Sequence, residues 1–233
     1  MLPSKLSTAK DRLPFALVTL TFATGLVDAV SFLGLGRIFT ANMTGNIVIL
    51  GFAVAGVPGL SFARSFTSLM AFFAGAALGG RLALRLAAER WRWLLTVGVT
   101  EGSLLFAAAF VSAGFDTVTS TPWSRLYLII VLTAVAMGLR NATVRRLAVP
   151  DLTTTVLTLT VTGLAADSSL AGGNNPRLGR RVASVMSMLG GAALGALLLT
   201  RNLALPLILS GGCTIVATVA FARMPTTAPD QNA

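Results

Sequence analysis

The chain has 233 residues, of which 55% are hydrophobic and only 11% charged, where a soluble domain ordinarily carries about 25%. Its mean hydropathy of +0.81 excludes a soluble fold, because too few polar residues remain to coat one. The net charge of +10 does not point to nucleic acid, because the basic residues fall between apolar runs and form no patch, as they do in membrane proteins.

Eight apolar segments follow one another, at 13–35, 41–60, 66–85, 93–113, 126–140, 153–166, 182–199 and 203–222. Six approach the roughly 20 residues that cross a bilayer. The second and sixth open with polar halves, Thr40 to Asn46 and Thr153 to Thr158. The expected architecture is an all-α, polytopic transmembrane helical bundle in one domain, 13–222. Short tails, 1–12 and 223–233, are expected to be cytoplasmic. The run after the basic N-terminus is too long for a secretory signal and reads as a retained first helix.

The two halves, about 13–113 and 126–222, share sequence. Ser68 to Gly79 realigns with Ser184 to Gly195 at an offset of 116, Gly25 to Ala29 with Gly138 to Ala142 at 113, and Thr40 and Thr44 with Thr154 and Thr158 at 114. If all eight segments span, the 18 Lys and Arg divide nine and nine. If segments two and six re-enter, only Arg37, Arg64, Arg125 and Arg201 lie outside and 14 lie inside. The positive-inside rule favours the second arrangement, which inverts one half relative to the other. Eight spans is the alternative.

Polar groups in hydrocarbon are expensive, and so those present are functional candidates. Asp28 lies within the first helix, with Thr21, Thr24, Gly25 and Ser31 on its face, and reads either as a cation or proton site or as a paired structural acid. Its mate in the second half is the neutral Asn141. Asn42, Thr44 and Asn46 form the tip of the second segment, and Gly45 is expected to admit a neighbouring backbone. Thr154, Thr158 and Thr162 repeat every four residues, and form either a solute-facing ladder or hydroxyls bonded to their own helix. Gly75/Gly79 and Gly191/Gly195 are GxxxG pairs expected to pack helices closely. Glu101 is a second acid in an apolar run, expected to pair with an arginine at a helix end. Trp91, Trp93, Trp123 and Tyr127 fall at segment ends, as interfacial anchors do.

Histidine is absent, and Cys213 is the sole cysteine. The commonest general base and the commonest zinc ligands are therefore missing. No catalytic residue, metal or cofactor is expected, and the chain is read as a non-enzyme.

The run Gly25-Leu-Val-Asp28-Ala-Val-Ser31-Phe-Leu-Gly-Leu-Gly36, followed by Phe39-Thr-Ala-Asn42-Met-Thr44-Gly45-Asn46, resembles the YoaK family of small bacterial membrane proteins of unknown function. Gly138-Leu-Arg-Asn141-Ala142 and the Thr-rich tract after Asp151 carry the resemblance on, over about 13–222. It implies a multi-pass protein of the bacterial inner membrane and supplies no substrate. The reading is a small-solute transporter or channel, with lipid and an unknown solute or ion as partners. A membrane scaffold packed through its GxxxG faces is the alternative, and homo-oligomerisation is left open.

Overall fold

Helix lengths follow from how far each apolar run continues before glycine, proline or charge interrupts it. The computed structural model describes residues 4–86, 88–147 and 157–222, and among these every regular element is a helix, with no strand. Helix α1 is Ser4–Ala29 and continues as a π turn, Val30–Gly34; then come α2 (Met43–Val54), α3 (Phe62–Leu86) and α4 (Arg90–Val111). The second half holds α5 (Trp123–Leu147), α6 (Leu157–Ala166), a 3-10 turn at Ser169–Ala171, α7 (Leu178–Leu199) and α8 (Ala204–Ala222). Five of these helices, α1, α3, α4, α5 and α7, have the length and composition to cross a bilayer. α8 has 19 residues.

The second and sixth segments are shorter as helices than as apolar runs. α2 has 12 residues and α6 has 10, about 18 and 15 Å at 1.5 Å per residue, against about 30 Å of hydrocarbon. The polar half of the second segment is what shortens α2. Residues 35–42 form a buried loop instead of a helix, and Gly36 (φ +92) and Arg37 (φ +57) turn the chain there. Glycine suits position 36 because its φ of +92 lies in a region that side-chain-bearing residues rarely adopt. α1, by contrast, begins earlier than the apolar run, at Ser4, so most of the expected N-terminal tail is helix. The C-terminal tail, 223–233, and Thr153, Thr154 and Thr155 lie outside the described residues.

Glycine sets the tightest packing. α3 runs parallel to α5, and α1 parallel to α7. A Cβ at Gly75 would lie 2.2 Å from the Val135 carbonyl oxygen, and one at Gly191 would lie 2.1 Å from that of Phe22. One turn on, Gly79 faces the Cβ of Ala142, and Gly195 faces that of Ala29. The opposing helices contribute Gly138 against the Phe72 carbonyl and Gly25 against that of Met188. α4 and α8 pack antiparallel, with Gly98 on Thr218 and Gly102 on Ile215. α2 rests on α3, and α6 on α7. Two apolar clusters, around Ile130 and around Trp93, fill the centre. Trp93 is turned inward at 4% exposure and is no interfacial anchor, whereas Trp91 and Trp123 are exposed.

Candidate functional site

The loop between the π turn and α2 carries backbone polar groups into the protein interior, where each needs a partner. Asn46 supplies two: its Oδ1 accepts from the Phe39 N–H (3.3 Å) and its Nδ2 donates to the Ser65 carbonyl (2.9 Å). Ser68 Oγ donates to the Phe39 carbonyl at 2.7 Å. Asn46 is wholly buried and does not face a cavity. Its place in the solute site is corrected accordingly: it pins the loop to α3. Asn42 caps α2, its Oδ1 accepting from the Gly45 N–H at 3.2 Å. The close neighbour of Gly45 is the Phe39 ring, not a backbone.

The remaining polar candidates converge. A cavity of about 870 Å³ is lined by Asp28 from α1, by Asn42, Thr44 and Gly45 from the loop and the start of α2, and by Thr158 and Thr162 from α6. Thr24 also reaches it, and Leu159, Val161 and Met188 provide apolar wall. Asn141 is not among these residues. It lines a second cavity, of about 590 Å³, together with Arg145, and its Nδ2 donates to the Met137 carbonyl at 2.8 Å. Asn42 and Thr44 line both cavities, so the tip of the second segment forms the wall between them. Thr154 lies outside the described residues.

Beneath the first cavity lies a network that the sequence reading missed. Arg140 is 2% exposed, although it was counted there as a charge at a helix end. It sits within α5, and its five N–H donors are all engaged. Nε and Nη2 both bind Glu101 Oε1, the former at 2.8 Å. Nη1 donates to Thr24 Oγ1 (2.8 Å) and to the Leu20 carbonyl (3.0 Å), and Nη2 also to Thr214 Oγ1 (2.8 Å). Thr214 in turn meets Glu101 Oε1 at 3.0 Å. The network ties α1, α4, α5 and α8 together. A signal was present: an arginine and a glutamate, each inside an apolar segment, are each too costly to stand alone. What no spacing revealed was that α5 continues to Leu147 and carries Arg140 into the interior.

Asp28 has no such partner. It is 7% exposed, its Oδ1 is buried with no hydrogen-bond partner, and no ion pair reaches it among the described residues. The nearby hydroxyls are turned elsewhere: Thr21 and Thr24 donate to the carbonyls of Leu17 and Leu20, and Ser31 to that of Asp28 itself. No group of three potential metal ligands occurs among the described residues.

A family profile described as "Protein of unknown function (DUF1275)" matches residues 16–220. The chain is 30% identical over 151 residues to the UPF0700 transmembrane protein YoaK of Bacillus subtilis (strain 168), an alignment covering 64% of this chain and 64% of that relative. No solved structure matches. On the match across residues 16–220 and the relative's transmembrane character, the chain belongs to the DUF1275 family, that of YoaK, and is a helical membrane protein.

Proposed function

We propose that this protein is a small-solute transporter or channel of the bacterial inner membrane, working without catalysis through the cavity between α1, the tip of α2 and α6. One observation carries the reading. Asp28, Asn42, Thr44, Thr158 and Thr162, brought from three separate stretches of sequence, line a single cavity. Broken or shortened helices that meet polar groups deep in a bundle are how secondary transporters build their sites.

The reading includes an inverted duplication with six crossings and both termini cytoplasmic. Several contacts support it. Gly75 on Val135 and Gly191 on Phe22 are one contact repeated, at offset 116 on one helix and 113 on the other. Gly79 on Ala142 and Gly195 on Ala29 repeat likewise, as do Gly138 on Phe72 and Gly25 on Met188. Strict up-and-down alternation of eight spans would make α4 and α8 parallel, whereas they pack antiparallel. α2 and α6 are too short to cross unaided. With the buried Arg140 set aside, 13 Lys and Arg still lie on the cytoplasmic side against four outside. The scaffold alternative loses its proposed surface, because all four GxxxG glycines are covered within the chain.

The test begins with a screen of purified protein against small metabolites, since a ligand that binds only the folded state raises Tm. Any metabolite found is then followed into reconstituted vesicles. Asp28→Asn and Thr158→Val are expected to cut uptake by about tenfold or more, the worth of a lost contact of about 1.5–3 kcal/mol to a charged group. Undiminished uptake by both variants would remove the cavity from the permeation path.

A further inference from the structure

Taking the first cavity as the solute site, as proposed above, its walls specify a ligand class. Asp28 is the one charged side chain among the described residues that line it. The nearest cation, Arg140, is neutralised by Glu101 and has no N–H donor left to offer. Among the described residues, the cavity therefore keeps one acid with no ion pair, nine-tenths buried, with an oxygen that has no hydrogen-bond partner, at the edge of an open volume. A carboxylate left alone at that depth is costly, and a bound cation removes that cost.

Size and donor set then argue against a divalent metal ion. A divalent metal requires several hard oxygen ligands converging at about 2.0–2.6 Å, and no acid or other metal-ligating cluster adjoins Asp28 among the described residues. About 870 Å³ instead falls in the range of organic ligand sites, which are largely apolar with a few orienting polar groups. Leu159, Val161 and Met188 offer contact to an alkyl body, and Thr44, Thr158 and Thr162 offer hydroxyl acceptors around a charged head. The second cavity differs in sign, with neutral Asn141 and cationic Arg145 in place of a carboxylate.

We infer that the Asp28 cavity binds a small organic cation, a singly charged alkylammonium, through the Asp28 carboxylate. The preference belongs to one cavity, because the repeat mate of Asp28 is an amide.

Carbodiimide labelling of the purified full chain tests this without any flux measurement. Dicyclohexylcarbodiimide reaches carboxyls in apolar, accessible sites, and intact mass with peptide mapping locates the adduct. Protonated dimethylethanolamine and 3-methylbutan-1-ol share one shape and differ in charge, and 3-methylbutanoate puts an anion on the same branched body. Labelling is expected on Asp28 and not on Glu101. It should fall about tenfold with the ammonium probe near ten times its Kd, and stay unchanged with the alcohol and the carboxylate. Asp28→Asn should abolish it, with Tm retained as the check on folding, and Asp28→Glu should restore it. The inference is overturned if Asp28 is not labelled, if no probe protects it, or if the alcohol or carboxylate protects as well as the ammonium. Transport of a neutral or anionic solute alongside such a result would leave the transport reading standing. Protection by the ammonium with no flux of any solute would support the cation site and overturn transport instead.

Discussion

Asp28 and Glu101 are both acids buried in apolar helices, yet their surroundings oppose them. Glu101 completes the Arg140 network, so Glu101→Gln strands a buried guanidinium and is expected to cost about 3–5 kcal/mol, read as a large fall in Tm in detergent. Joint replacement by Glu101→Leu and Arg140→Met should cost clearly less than the two single changes added together, a coupling that a double-mutant cycle measures. Asp28 stabilises nothing visible, and Asp28→Asn should leave Tm unchanged or raised; a fall matching that of Glu101→Gln would make Asp28 structural. Asn46→Ala removes the two bonds by which Asn46 ties the 35–42 loop to α3, at an expected cost of about 1–3 kcal/mol. Outside the membrane, Asp116 accepts from Thr119 Oγ1 and the Val118 N–H, each at 2.8 Å. The Thr119 bond first, then that of Val118, holds its pKa below the ordinary value. A lowered folded pKa stabilises above the unfolded pKa, and that contribution is lost as pH falls through the folded one. Asp116→Asn should therefore flatten this acid-side dependence. At this scale the sequence singled out buried acids such as Glu101 but not their partners, which lie on other helices: Arg140 and Glu101 are 39 residues apart.

The helices were legible wherever apolar character ran on for 20 residues, and least legible where a polar stretch interrupted it. α2 read as a longer segment because hydropathy does not register that Asn46 and Ser68 can satisfy a non-helical backbone between them. The glycine pairs could be read as packing sites from spacing alone, but their partners could not. Gly75→Leu and Gly191→Leu each drive side-chain atoms into a facing backbone carbonyl, which cannot yield as a flexible side chain can. Both should sharply reduce folded protein, scored by monodisperse yield in detergent. Gly80→Ala is the matched control on the same helix, since a Cβ there meets nothing within 4 Å. It should hold or raise Tm, by about 0.5–1 kcal/mol of helix propensity. Equal losses at 75 and 80 would refute close packing as the reason for the motif.

Across the whole molecule, direction of crossing is the quantity most open to measurement. On the proposed six-crossing topology, in which α2 returns to the side it enters from, a reporter fused after Arg64 is expected outside the cell; a cytoplasmic signal would restore eight spans and dissolve the inverted pairing on which the proposed site depends. The antiparallel packing of α4 on α8 was not available from the sequence, because hydropathy carries no direction.

The sequence by itself determined membrane residence, the eight helical segments, the shared motifs of the two halves and the polar residues worth suspecting. These follow from composition and local spacing, which act along a single stretch of chain. Tertiary structure alone decided that Arg140 is consumed by Glu101, that Asn46 braces a loop, that Asn141 belongs to a separate cavity, and that Asp28 is left without an ion-pair partner among the described residues. Those outcomes depend on which groups from distant helices compete for the same few donors and acceptors where water cannot serve as a substitute.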